Sequence, residues 1–133
     1  NGRIYRYSET DGATFYPRRV FLSQVIDADG TALTLNYDAQ QRLTGLTDAL
    51  GQNTRFDYAD ATHPWRITRI TDPFGRSAVF GYDPEGRLDQ ITDALGMTST
   101  FAYDGGSFIQ AMTTPYGTTR FAYGESGTTR WLE

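Results

Sequence analysis

The residues of this chain that could take part in chemistry are twelve aspartates, four glutamates, a single histidine and a few serines, with no cysteine. Without thiols there is neither a disulfide framework nor a thiolate metal site. His63 sits beside Pro64 and has no partner at metal-ligand spacing, so it reads as a solvent-facing loop residue and not as a ligand or base. A hydrolase triad would have to combine His63 with a serine, yet Gly124-Glu125-Ser126-Gly127 lacks the second spacing of a nucleophile elbow. No phosphate-cradling glycine loop occurs. Asp27-Ala28-Asp29-Gly30 begins as a calcium loop does, but the later ligands and the closing glutamate are missing. The side chains therefore nominate no catalytic residue, no metal ligand and no cofactor.

What most of the aspartates share is a place at the start of a turn. Asp83-Pro84-Glu85-Gly86 and Asp93-Ala94-Leu95-Gly96 are of one kind. An aspartate at the first position bonds backbone N–H groups ahead of it, and proline at the second presets φ. Glycine at the fourth takes positive φ and closes a hairpin with a bulge. The turns belong to a repeat. Its closing aromatics are Tyr37, Tyr58, Tyr82, Tyr103 and Tyr123, in steps of 21, 24, 21 and 20 residues. Its glycines are Gly30, Gly51, Gly75, Gly96 and Gly117, preceded three residues earlier by Asp27, Asp48, Asp72, Asp93 and Thr114. Leu35, Phe56, Phe80, Phe101 and Phe121 stand two residues before each tyrosine. Four columns in register, each with five members in so short a chain, mark a true internal repeat.

The elements that hold these columns are strands. Phe101 and Tyr103 are two apart and point to one face of a strand, with Met97 and Ser99, while Thr98, Thr100 and Ala102 point to the other. The first half of each unit is less regular, because Leu43 and Leu46, Ile67 and Ile70, and Leu88 and Ile91 are three apart. That spacing hints at a helix, but the runs are too short and are flanked by turns. A bulge reconciles them with strands. The expected fold is all-β, with ten to twelve strands in successive antiparallel hairpins forming one curled sheet.

Aromatic residues make up 14 % of the 133, and glycine is frequent, as strands joined by tight turns require. A net charge of −4 argues against nonspecific attraction to nucleic acid or anionic membrane. No apolar run reaches membrane-spanning length. Residues 1–19 read as a degenerate repeat end, with Tyr5-Arg6-Tyr7 in place of Phe-x-Tyr, followed by a connecting loop. Residues 20–124 hold five repeats, and residues 125–133 start a further one. Gln41 stands where the fourth turn position elsewhere holds glycine, and the step from Tyr58 to Ile67 is expanded by Ala59-Asp60-Ala61-Thr62-His63-Pro64-Trp65. The chain opens on Asn1 without methionine or signal peptide and is expected to be an excerpt, so missing targeting signals carry no information.

The recurring columns, from Gly86-Arg87-Leu88 through Ile91-Thr92-Asp93 to Phe101-x-Tyr103-Asp104, resemble the YD or Rhs repeat family over residues 20–124, and more loosely over the first 19. The resemblance implies a long antiparallel sheet of hairpins coiled into a hollow shell. In bacterial members, including toxin-complex subunits and polymorphic toxins, such a shell encloses a C-terminal toxic domain until delivery. It implies a secreted or cell-surface protein, exported from a bacterial cell. Its partners would be neighbouring repeats of the same protein and the enclosed toxin domain. Related repeats in animal teneurins serve adhesion, and some members are linked to carbohydrate, which leaves a carbohydrate- or receptor-binding module as the alternative. The self-cleaving Asp-Pro-x-Gly region that ends many shells is matched only by Asp72-Pro73-Phe74-Gly75, within an ordinary turn. The resemblance thus carries over no catalytic residue.

Three structural expectations follow. The turn glycines should have positive φ. The Phe and Tyr columns should be mostly buried as a ladder across hairpins, in preference to forming an exposed sugar platform. The segments Gly2–Tyr7 and Thr128–Leu132 should form sheet edges with little charge or proline to guard them, so the isolated chain should self-associate.

Overall fold

The computed structural model describes residues 2–127 and 129–132; Asn1, Thr128 and Glu133, named in the expected chain ends and edges, lie outside them. The described residues hold thirteen strands and no helix. They are β1 (Ile4–Thr10), β2 (Val20–Ile26), β3 (Ala32–Tyr37), β4 (Leu43–Thr47), β5 (Asn53–Asp57), β6 (Arg69–Thr71), β7 (Ser77–Tyr82), β8 (Leu88–Thr92), β9 (Thr98–Tyr103), β10 (Ile109–Thr114), β11 (Gly117–Arg120), β12 (Tyr123–Ser126) and β13 (Thr129–Leu132). Strands β1 to β11 form one open sheet in which spatial order is sequence order, and β12 pairs only with β13. The last strand at the C-terminal edge of the large sheet is therefore β11, not the expected segment Thr128–Leu132. Residues 129–132 pair with β12 instead, where the Trp131 indole lies against the bare Cα of Gly124. This separate hairpin also raises the strand count above the expected twelve.

Each hairpin turn closes in the same way. The Asp27 N–H donates to Thr31 O at 2.9 Å, and Gly30 N–H donates to Asp27 O at 2.9 Å. The same two bonds recur from Asp38, Asp48, Asp72, Asp83 and Asp93. The residue before the ladder resumes must take left-handed φ, which costs a non-glycine residue about 1–2 kcal/mol. Gly30, Gly51, Gly75, Gly86 and Gly96 have φ of 85°, 79°, 83°, 76° and 81°. Gln41 takes the same conformation at 61° and is the one non-glycine residue to do so among those described. The turn at Thr114-Pro115-Tyr116-Gly117 differs: Thr114 pairs directly with Gly117, whose φ is 145°.

Bulges explain the irregular half of each unit. Tyr37 pairs with Leu43 and Leu35 with Leu46, so Thr44 is the extra residue, and Leu43 and Leu46 face the same side as Leu35 and Tyr37. Asp89 plays this part between Leu88 and Ile91, opposite Tyr82 and Phe80. Gln110 plays it between Ile109 and Met112, opposite Tyr103 and Phe101. An apolar spacing of three thus lands on one face of a strand once a bulge adds a residue.

The chain divides into two compact units, Asn1–Tyr58 with Ile70–Arg76, and Ala59–Arg69 with Ser77–Glu133. In each, the sheet has two distinct faces. In the first unit Val25 pairs with Leu33 and Leu35 with Leu46 on the apolar side. On the other side the Gln24 amide donates to Thr34 Oγ1, and the Asn36 amide donates to Thr47 Oγ1. In the second unit Phe80 and Ile91 form an apolar row that ends at Ser99, and Phe101 and Met112 form another. Its other side carries hydroxyl pairs, Thr92 with Thr98 and Thr113 with Thr118.

The expected burial of the aromatic columns is corrected here. Phe56, Phe80, Phe101 and Phe121, with Tyr37, Tyr58, Tyr82, Tyr103 and Tyr123, are half-buried. Among the described residues Ala111 is the only buried hydrophobic one. Neighbouring strands cover part of each ring, and the rest stays open to solvent. Nor is the ladder aromatic on aromatic. The Phe column falls on every second strand, so Phe80 meets Ile91 and Phe101 meets Met112.

The left-handed positions give a paired prediction. Gly96 has open space where a Cβ would go, so Gly96→Val should cost only the backbone strain, about 1–2 kcal/mol. Gln41→Gly should do the reverse and raise stability by up to about 1 kcal/mol, less what glycine adds to unfolded-state freedom. Urea unfolding of both variants checks the signs.

Candidate functional site

The repeat positions converge on an interlock that begins at the turn aspartate. Asp38 Oδ1 accepts from Gln40 N and Arg42 N, each at 2.9 Å, so one carboxylate oxygen holds the turn closed. Its second oxygen accepts from Arg42 Nε at 2.7 Å. Asp83 repeats the pattern with Glu85 N, Arg87 N and Arg87 Nε, the last at 2.6 Å. Asp72 does the same with Phe74 N, Arg76 N and Arg76 Nε. Asp48 and Asp93 make the two backbone contacts, to Leu50 and Gln52, and to Leu95 and Met97. Asp104 accepts from Gly106 N and Phe108 N, and its other oxygen takes the Arg130 guanidinium.

From the aspartate the interlock passes through arginine to tyrosine. The Arg42 guanidinium lies 4.6 Å from the centre of the Tyr58 ring, and Arg87 lies 4.5 Å from that of Tyr103. Arg66 stands 5.9 Å from Tyr82. These arginines are each sixteen residues before their tyrosine. Such cation–π contacts are worth about 0.5–1 kcal/mol where water still reaches them. Arg42 and Arg87 are half-buried between a carboxylate and a ring, with side-chain exposures of 21 % and 29 %, so their pairs are not the freely exposed kind that contribute little.

The tyrosine hydroxyl completes the interlock. Tyr37, Tyr58, Tyr82 and Tyr103 donate to the carbonyl oxygens of Leu22, Leu43, Ile67 and Leu88 at 2.7–2.8 Å, each fifteen residues upstream. Tyr123 donates to Ile109 O at 2.7 Å, fourteen upstream. Leu22, Leu43, Leu88 and Ile109 are the residues directly before the bulged Ser23, Thr44, Asp89 and Gln110. Four of the five hydroxyls thus bond a carbonyl at the point where the regular ladder is interrupted. Burial pushes the Tyr37, Tyr58 and Tyr82 hydroxyls above their ordinary pKa.

Partial burial pulls the Asp38, Asp72 and Asp83 carboxyls upward, but the backbone N–H groups and the following arginine outweigh it. All three are held below the usual carboxylate range. Asp104 is held low chiefly by Arg130. The carboxylates are thus engaged in turns, and no group of three or more metal-ligating residues occurs among the described residues. In the calcium-like start, Asp27 is bound by Arg3 Nε at 2.7 Å and Asp29 by Thr31 N.

His63 is not solvent-facing as expected. Its side chain is 20 % exposed, its Nδ1 lies 2.9 Å from Asp60 Oδ2, and its ring rests against Gly86. The expanded segment turns back through Asp60, which accepts from Thr62 N and His63 N, so the ring points inward.

A family model described as RHS Repeat matches residues 21–52, 37–63 and 66–96, together more than half of the chain. The chain belongs to the RHS repeat family. None of the curated proteins is similar enough to count as a relative. The matched residues contain the interlocks of Asp38, Arg42 and Tyr58 and the latches of Tyr37 and Tyr82. The RHS repeat is here a structural element, and its hairpins associate by pairing with the repeats on either side. Sequence reading had singled out Tyr37, Tyr58, Tyr82, Tyr103 and Tyr123 but missed their acceptors. The signal was present, since Leu22, Leu43, Ile67, Leu88 and Ile109 recur in steps of 21, 24, 21 and 21.

Two predictions test the interlock. Tyr103→Phe removes only the hydroxyl and should cost about 1–2 kcal/mol by leaving Leu88 O without its donor. Tyr16→Phe, at a tyrosine that is 94 % exposed, should change stability by less than about 0.5 kcal/mol. Because folding lowers the pKa of Asp38, Asp72, Asp83 and Asp104, their contribution is present above the unfolded value of about 3.9 and is lost as pH falls through the folded one. The urea midpoint should therefore drop below about pH 4, and the Asp83→Asn variant should show a shallower acid limb.

Proposed function

We propose that this run of RHS repeats is a wall segment of a hollow β-shell that holds a C-terminal toxic domain until delivery from an exporting cell. The observation that carries the reading is the half-covered apolar face of the sheet. Rows such as Phe80 with Ile91 and Phe101 with Met112 share their face with the tyrosine latches and remain only half-buried. A monomer that stood by itself would cover such a face with a second layer. A wall that encloses another domain has cause to leave it open. In this reading residues 125–133 begin a further repeat, and residues 1–19 end an earlier one. The repeat positions Asp48, Asp72, Asp93, Phe56, Phe80, Phe101 and Phe121 serve the wall and not a ligand.

A second reading, a carbohydrate- or receptor-binding module, draws on one groove in the first unit. It is lined by Gln52, Asn53, Arg55 and Asp72 beside Phe74, which is 73 % exposed. An open aromatic ring beside amide, guanidinium and carboxylate groups suits a sugar. Arg76 already stands over that ring at 5.5 Å, which leaves less of it for a ligand.

The gene around this segment tests the first reading. A variable domain encoded after the repeats, with an adjacent immunity gene, supports enclosure; repeats followed by a surface anchor and no variable domain overturn it. Glycan-array binding that Phe74→Ala abolishes would favour the second.

The sheet edges generate a further expectation. β1 is exposed throughout, with Ile4, Tyr5 and Tyr7 each more than half exposed, and β11 is exposed at all four residues. Unpaired strand edges recruit other strands. The 133-residue chain should therefore sediment as concentration-dependent oligomers, and a double variant with Tyr5→Lys and Thr118→Pro should shift them toward monomer. A monomer at every concentration would count against a wall segment that depends on its neighbours.

A further inference from the structure

Eight glycines have positive φ, and seven of them have nothing within 4 Å of where a Cβ would stand. Gly86 is the exception. A Cβ there would meet His63 Cδ2 at 2.8 Å and Nε2 at 3.0 Å, so the imidazole lies directly on the turn backbone. The ring comes from the expanded step between Tyr58 and Ile67, and Asp60 holds it there through Oδ2 and Nδ1 at 2.9 Å. The loop is tied at its own ends, by Ala59 N donating to Thr68 Oγ1 at 2.9 Å and Arg66 N donating to His63 O at 2.9 Å. His63 is the only histidine of the chain.

We propose that Asp60 and His63 form a proton-operated clasp that fastens the 59–66 loop to the Asp83–Gly86 turn. An imidazole changes charge near neutral pH, and its bond to a carboxylate strengthens when it becomes charge-assisted. Charged groups stand on both elements that the ring joins. From its own loop come Asp60 and Arg66, the latter turned toward Tyr82. From the turn come Asp83 and Glu85, with Arg87 bound to both. The His63 bond also keeps the Asp60 carboxyl below its ordinary range, so that partner stays ionised as the solution becomes mildly acidic. The clasp tightens when the imidazole carries its proton and loosens when it gives that proton up, and Asp60, held below its ordinary range, stays ionised meanwhile.

The test is hydrogen exchange by NMR on the 133-residue chain, with an imidazole titration. Corrected for intrinsic rates, protection of the Ala59 and Arg66 amides should rise ~3–10-fold from pH 8 to pH 5.5, while Gly51 and Gly96, in uncovered turns, stay constant. Asp60→Asn should lower the titration midpoint of His63, and His63→Gln should abolish the pH dependence without unfolding the sheet. Protection that is pH-independent in the unmodified chain overturns the proposal, and needs no variant to be read. So does a His63 midpoint that Asp60→Asn leaves unchanged.

Discussion

A bulged strand has a backbone carbonyl at the point where its ladder is interrupted, and a polar group left so placed beneath half-buried rings is costly unless it finds a donor. In this chain the donor is a tyrosine hydroxyl further along the chain, at Tyr37, Tyr58, Tyr103 and Tyr123, and Tyr82 makes the same bond to Ile67 O. The rest of the repeat follows from that bond. The bulge turns Leu43 and Leu46, or Leu88 and Ile91, to one face, which makes that face apolar. The hydroxyl fixes the tyrosine ring over the strand start, where an arginine can lie against it. The aspartate that closes the turn then holds the arginine in place. Register, facing and turn geometry are coupled through a single side-chain bond per unit.

Much of this architecture was legible in the residues. The turn aspartates and glycines specified hairpins, because only a left-handed fourth residue lets the ladder resume after such a turn. Even the awkward spacing of Leu88 and Ile91 identified a bulged strand. Other features needed three dimensions. The Phe column suggested a buried ladder, yet burial depends on a second layer that no local pattern encodes. The arginines sixteen residues before Tyr58, Tyr82 and Tyr103 form a column in the sequence, but nothing in residue type says that they stack and do not simply face water. His63 was misread because a loop histidine without ligand spacing usually faces solvent. Its true neighbour, Gly86, is twenty-three residues away and carries no side chain to announce the contact.

The candidate site is accordingly distributed and mechanical. Side chains that elsewhere do acid–base or metal chemistry are here engaged by backbone N–H groups and guanidiniums, so their ionisation serves closure of turns. This accounts for an acidic chain without an acidic cluster. Negative charge is spent one turn at a time, each beside donors that hold it.

Every tyrosine latch closes within fourteen or fifteen residues, and the carboxylates of Asp38, Asp48, Asp72, Asp83 and Asp93 bond backbone within four. The first four latches each take their acceptor from the preceding half of the same repeat, and the fifth reaches from β12 back to β10. An ancestral gene could therefore gain or lose a whole unit by unequal recombination, and each remaining tyrosine would still have its own carbonyl. The length of the sheet becomes a heritable variable, adjustable in steps of about two strands without repair elsewhere. The 24-residue step shows the tolerance of that arrangement. Three added residues between Tyr58 and Ile67 leave the fifteen-residue span from Ile67 to Tyr82 untouched, and so the insertion was free to acquire a histidine and a contact of its own.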